Sequence, residues 1–487
     1  MRNEKRRMKG TILGNKLKRI LSSNIAIALG LFIFALGYYF VCSCKEFTWV
    51  FMSGDSADWL ASAKIWFLPQ PFGAPTYIML AKLINLFPGD LATNMVFYSS
   101  CLPAAISVVM VYLAALKLKG SKIVGIVAAL VMIAAFPFFA EASVIREHIL
   151  SAMFISMAVL AWTYKKYPLM MITLGLAISV NIIAAYVTGL WFLTDLKHWK
   201  DWVRWSFLGV LFGLCPYGLT LWLMENAPYK WFEAHLSLAN INDYLGSSGT
   251  VGGLSIADAG GRLIDFIGVA FVTYALAWIP IFKSFKKMWR FGLIVIGVFW
   301  LYFMDNDPTT WTFTLYAVPF AALMVAYGLE HKKEIIAVAV SACILITMNG
   351  ILLNAQTIHD KNPVARDLYN ETMALPENSV VITAQGGFVT LNMFYAISNG
   401  SDIELLFMTA ISNKADRGGS DDVGYLGWIE WANQQGLWGG NSIEMARFAL
   451  ERGSPVFRVT TYLPELNSDA YVLEPYSGYF DKVVAIK

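Results

Sequence analysis

Apolar runs of about 20 residues recur along the first 355 positions of this 487-residue chain, each long enough to cross a hydrocarbon core of about 30 Å. Backbone inside lipid must satisfy its own hydrogen bonds, so such runs become helices. The composition agrees: 57% of residues are hydrophobic and 15% charged, against about 45–50% and about 25% in soluble domains. The chain reads as a polytopic α-helical membrane protein. Its net charge of +3 says little as a sum, because the basic residues gather in particular loops.

Lys and Arg orient the runs. The first, at about 24–44, follows the basic segment Met1 to Arg19. It exceeds a signal-peptide core of about 7–15 residues and no small-residue cleavage site follows, so a retained span with a cytoplasmic N-terminus is expected. Further runs fall at about 94–117, 122–140, 146–163, 204–224, 263–282, up to 304, 311–329 and 335–353. Between Pro168 and Phe192 the run is broken by Asn181 and Gly189 and has basic flanks at both ends, which suits two half-spans entering and leaving on one side. Loops placed inside carry Lys117, Lys119, Lys165, Lys166, Lys283, Lys286, Lys287 and Arg290; those placed outside carry Asp55, Asp58, Glu147, Asp305 and Asp307. The expectation is about eleven spans in residues 1–355 and a soluble domain in 356–487 outside. The membrane is then that of a prokaryotic cell, or the ER in a eukaryote.

In the second part, Ser379 to Thr383, Asp402 to Phe407 and Pro455 to Thr461 read as strands. Helices are expected after Gly386-Gly387 through Tyr395 and from Ile443 to Arg452, closed by Gly453, with a long loop from Arg417 to Gly440. This alternation suggests a small α/β domain. Cys42, Cys44, Cys101, Cys215 and Cys343 all lie in or beside the runs, so no disulfide framework supports it.

Asp55 and Asp58, three residues apart, share a helix face at the expected outer membrane surface. A carboxylate there takes a proton from an incoming hydroxyl or holds a cation. Ser53, Asp55 or Ser56 equally suits helix capping, and spacing alone leaves both roles open. Trp59 and Trp66 share a face and are expected at the membrane interface. Arg146, Glu147 and His148 stand at the outer mouth of the fourth span, where they would orient an acceptor, neutralise a phosphate, or simply end a helix. Asp305-Asn306-Asp307 has the form of a weak divalent-metal site, though Pro308 after it suits a plain turn. Arg262, after Gly260-Gly261, is placed either to pair with a phosphate or to anchor the helix by snorkelling. Lys230 and His235 in the preceding loop are further candidates. Asn181 reads as an interhelical hydrogen bond.

Asp55-Ser56-Ala57-Asp58, then Pro71-Phe72-Gly73-Ala74-Pro75-Thr76-Tyr77, then Ala81 to Pro88, is similar to a known pattern. It resembles the D-S-x-E and H-P-P-G-Y-P-L-Y motifs of the O-mannosyltransferases that modify plexin and cadherin domains, and of their prokaryotic relatives. Those enzymes belong to the GT-C fold group of lipid-phosphate-sugar-dependent glycosyltransferases. Ile145-Arg146-Glu147-His148 resembles that family's acidic second-loop motif, and Leu375 to Ile382 resembles the start of its C-terminal domain. The departures are Gln70 for His, Phe72 for Pro, Asp58 for Glu, and Val180-Asn181 for the usual His pair. The resemblance implies a GT-C transferase moving a sugar, of mannose type, from a polyprenyl-phosphate donor to an acceptor hydroxyl with inversion. Asp55 would be the general base and Asp58 and Glu147 supporting carboxylates. Arg262, His148, Gln70, Lys230 and His235 would be candidates for binding substrate. It implies no cofactor and no metal.

Two rival readings remain. A transporter or lipid flippase would suit the broken run near Asn181, but the carboxylates cluster outside and no internal repeat is present. A non-catalytic sugar-binding protein of the same fold is the other. No nucleotide-binding loop, Ser-His-Asp set or basic-aromatic nucleic-acid face occurs.

Overall fold

The computed structural model describes residues 23–47, 55–64, 74–225, 268, 274–304, 308–383, 396, 399, 403–407, 442–459 and 471–487. The expected helix through Tyr395, the loop 417–440 and half of the run at 263–282 lie outside these residues.

Ser23 opens α1 (Asn24–Cys42) by accepting from the Ala26 N–H at 3.1 Å, a serine N-cap. Two short helices follow, α2 (Asp55–Lys64) and α3 (Pro75–Ile84). Next, α4 (Leu91–Met95) runs through a π-helical turn into α5 (Leu102–Lys119). Gly120 closes α5 at φ 69°, the left-handed position glycine accepts without strain. The run read as one span at 122–140 is a pair, α6 (Lys122–Ala134) and α7 (Phe136–Ala142), bent by 65°. Pro137 in the first turn of α7 has no N–H to continue the α6 ladder.

The middle of the bundle is α8 (His148–Thr163), α9 (Tyr167–Val180), α10 (Ile183–Thr194) and α11 (Trp199–Glu225). Asn181 breaks α9 from α10 with extended backbone, φ −152° and ψ 130°. Tyr167, the first residue of α9, and His198, just after α10, have ring centroids 5.9 Å apart. The two half-length helices therefore bring the chain back beside the start of α9. A Cβ on Gly175 would lie 2.3 Å from the Gly209 carbonyl oxygen, so α9 and α11 touch backbone to backbone. This is the close approach that small residues permit between helices in lipid.

At the basic end, buried Asp195 accepts from Trp162 Nε1 at 3.2 Å and Trp202 Nε1 at 3.1 Å and pairs with His198 and Arg290. That carboxylate ties α8 and α11 to α13 (Trp289–Met304), which follows α12 (Trp278–Phe285). A 3₁₀ stretch, Pro308–Ala317, leads into α14 (Val318–Gly328), and α15 (Lys332–Leu352) ends the bundle. Tyr38 Oη donates to the Ile346 carbonyl at 2.7 Å, and Asn349 Nδ2 to the Ala134 carbonyl at 2.9 Å, so α15 closes against α1 and α6. Among the described residues, three helical runs are long and apolar enough to cross a membrane alone, Asn24–Cys42, Leu91–Lys119 and Lys332–Met373, with the bent pair as a fourth. Seven further apolar helices among the described residues are only 10–17 residues long. Full-length runs in the sequence are thus often short or broken helices, because apolar composition does not mark where a helix bends inside a packed bundle.

Helices α16 (Ala355–Lys361) and α17 (Val364–Met373) lead to a five-stranded sheet of order β2-β1-β3-β5-β4. Its strands are β1 (Ser379–Thr383), β2 (Ile403–Phe407), β3 (Val456–Val459), β4 (Tyr471–Pro475) and β5 (Phe480–Ile486). β1 pairs in parallel with β2 and β3, while β5 runs antiparallel to β3 and β4. Val381, Phe457 and Phe480 share the buried apolar cluster of the bundle, whereas Val380, Ile382 and Val456 pack with α18 (Ser442–Glu451) on the other face. That is the period-2 alternation of a sheet covered on both sides. Phe47 and Tyr369 stack edge-on at 5.1 Å, and His359 Nε2 lies 3.1 Å from Glu46 Oε2, joining the end of α1 to this part.

Candidate active site

Asp55 is the first residue of α2. One residue later, the Ser56 hydroxyl donates to the Ile145 carbonyl at 3.2 Å. The start of α2 therefore adjoins Arg146-Glu147-His148, ninety positions on in the sequence. Trp59, expected at the interface, is wholly buried and meets Tyr77 of α3 edge-on at 4.8 Å. Tyr77 Oη in turn lies 2.9 Å from Ser99 Oγ. α3 covers the face of α2 that the sequence leaves for lipid, which is why Trp59 becomes core.

The segment between α7 and α8 is non-helical, so its carbonyls need partners. Four successive carbonyls, from the end of α7 to Ile145, find theirs elsewhere in the chain. Ala142 accepts from Cys101 Sγ, Ser143 from the Cys44 N–H, Val144 from Ser100 Oγ, and Ile145 from Ser56 Oγ. This anchorage fixes Arg146 and Glu147. Arg146 Nη1 pairs with Glu141 Oε1 at 3.0 Å, both side chains nearly inaccessible to solvent. The break at Ser143 is what lets residues five apart face one another.

Glu147 is fully buried. Its Oε1 lies 3.0 Å from Asn181 Nδ2 and 3.5 Å from His148 Nε2. The helix break frees the Ile183 N–H, which donates to Asn181 Oδ1 at 3.0 Å and so orients the amide. Asn181 Nδ2 then also faces His148 Nδ1 at 3.1 Å. An amide nitrogen only donates, so the network assigns an accepting Nδ1 and a hydrogen on Nε2, toward Glu147. Tyr316 Oη approaches the same Nδ1 at 3.2 Å. Asn181 is thus the interhelical hydrogen bond expected of it, with a carboxylate and an imidazole as its partners.

The structure brings Glu147 and His148 together and sets the backbone of Asp55 nearby. The side chains of Asp55 and Asp58, and all of Trp66, Gln70, Lys230, His235, Arg262, Asp305 and Asp307, lie outside the described residues. Among the described residues no three His, Cys, Asp or Glu side chains group as metal ligands. Glu141 and Tyr316 were not singled out in the sequence. Glu141 carried a signal, an acidic residue inside an apolar run; Tyr316 carried none.

No protein-family model matches this chain, and no curated protein matches it. Solved structures do. ArnT from Cupriavidus metallidurans bound to undecaprenyl phosphate superposes with a TM-score of 0.58 and 12% identity, over 94% of this chain and 97% of that one. ArnT from the same organism in the apo state gives 0.60 and 14%, over 95% and 98%. The chain has the GT-C fold. The likeness spans both the bundle and the C-terminal sheet, so the GT-C architecture accounts for nearly the whole molecule. Glu147 and Asp55 stand within that GT-C frame, at the junction of α2 with the α7–α8 segment.

Proposed function

We propose that this protein is an integral membrane glycosyltransferase whose donor is a sugar linked to polyprenyl phosphate and whose acceptor is a hydroxyl on the outer or lumenal face. The fold shared with ArnT, one structure of which holds undecaprenyl phosphate, is the observation that carries this reading. The Ser56–Ile145 hydrogen bond supports its site, because it draws the two acidic motifs of the sequence together.

In the reaction proposed, Asp55 accepts the acceptor's hydroxyl proton as its oxygen attacks the anomeric carbon. The bond from that carbon to the phosphate oxygen breaks with inversion, releasing polyprenyl phosphate. Asp58 supports Asp55, and Arg262 pairs with the phosphate as its charge grows. Glu147, being fully buried and held by Asn181 and His148, acts as a positioning residue. The sugar is of mannose type, the acceptor a protein, lipid or glycan, and transfer needs no divalent metal. The N-terminus is cytoplasmic and the C-terminal sheet sits outside.

The test is a panel of polyprenyl-phosphate sugars offered to the purified protein with candidate acceptors, scored by release of lipid phosphate. No release with any donor would remove the enzymatic reading. Chelation is expected to leave transfer intact; loss restored by a divalent ion would point to Asp305 and Asp307. The broken pair α9–α10 also favours a second reading, transport, which donor movement across vesicles without hydrolysis would support.

A further inference from the structure

A cavity of about 260 Å³ opens between α12 and α13, lined among others by Trp278, Phe282, Phe285, Ile296, Phe299 and Trp300. All its lining side chains are apolar. Helices α12 and α13 are joined by Lys286-Lys287-Met288, so one end of the groove meets a basic turn. The charges at that end are unevenly matched. Lys283 pairs with Glu334, and Arg290 with Asp195. Among the described residues, no carboxylate pairs with Lys286, Lys287 or Lys119. Lys119, from the end of α5, and Lys287 approach the same Tyr327 ring, at 4.9 and 5.9 Å. Two like charges converging on one ring are stabilised by an anion set between them.

We propose that this groove holds one acyl chain of an anionic phospholipid, with the lipid phosphate at Lys286 and Lys287 and within reach of Lys119. The apolar walls take the chain, and the surplus cations select the headgroup. A zwitterionic lipid offers the same phosphate but sets its own cation beside it, which offsets the gain at the lysines. The basic turn lies on the side read as cytoplasmic, opposite the proposed reaction, so the sugar donor's phosphate does not serve this end. The inference stands on the groove and its charges, and is independent of which reaction the protein performs.

Native mass spectrometry of the full-length protein tests it, with phosphatidylglycerol and phosphatidylcholine of identical chains supplied together. One retained phosphatidylglycerol is expected, favoured by about tenfold. Lys286→Ala with Lys287→Ala, both at exposed positions, is expected to abolish the preference while leaving the fold intact. Ile296→Trp, at a lining residue 52% exposed, is expected to fill the slot and lose both adducts. Equal retention of the two lipids by the unaltered protein overturns the proposal, as does an undiminished preference in the double lysine variant. Displacement of the adduct by polyprenyl phosphate, with no effect of the lysine changes, would instead assign the groove to the donor's tail.

Discussion

Asn181 Nδ2 lies 3.0 Å from Glu147 Oε1 while Asn181 Oδ1 takes the N–H of Ile183 at 3.0 Å. One amide thus satisfies the backbone at a helix break and holds a buried carboxylate. Asn181→Ala removes these two bonds and the one to His148, and a loss of about 1–3 kcal/mol is expected from the buried groups left unpaired. Asn181→Asp sets a second carboxylate against Glu147 and is expected to be worse. Thermal unfolding in detergent ranks the two; an Asp variant more stable than the Ala variant would refute carboxylate repulsion at this position.

Arg146→Met leaves Glu141 buried without its cation. Breaking such a pair from one side destabilises by about 3–5 kcal/mol. Adding Glu141→Gln is expected to recover much of that, because the uncompensated charge goes too. A double variant no more stable than Arg146→Met would show that Arg146 acts through other contacts.

Asp55→Asn keeps size and any capping role, so expression is expected to survive. If Asp55 is the general base, turnover falls about 10²–10⁴-fold, and Asp58→Asn does less. A folded Asp55→Asn protein with near-normal turnover would sink the assignment.

Gly175→Ala is expected to destabilise by about 1–3 kcal/mol, since its Cβ would meet the Gly209 carbonyl at 2.3 Å and backbone cannot rotate away. Gly218→Ala, on the same partner helix α11 but with nothing within 4 Å, is the control. It is expected to be neutral or stabilising by up to about 1 kcal/mol. Similar losses at both positions would refute backbone contact as the cause.

A reporter fused at Lys487 is expected outside, and one inserted after Lys287 in the cytoplasm. Both on one side would overturn the orientation and with it the face on which transfer is proposed.

The helical class, the break at Asn181, the strands at 379–383 and 403–407 and the helix closed by Gly453 were legible because each rests on local signals: apolar length, an isolated amide, β-branched runs, a terminal glycine. Pro137 marked the 65° bend locally but apolar length overrode it, whereas no local signal could show the burial of Trp59 or the β4–β5 hairpin. Both of these depend on what packs against the segment. Glu147 and His148 stood out by position and chemistry. Their partners Asn181 and Tyr316 come from 34 and 168 residues away, and no spacing rule brings such residues together.

The bond from Tyr38 to Ile346 joins the first described helix to the last of the bundle, and Asp195 meets Arg290 only 95 residues after it is made. A ribosome delivers these partners in order, N-terminal parts first. For much of synthesis the nascent chain therefore holds a carboxylate without its arginine and a first helix without its closing neighbour. Early helices must wait in the membrane, or be escorted there, until α13 and then α15 emerge. Chains truncated before α15 should be open, short-lived and prime targets for membrane quality control.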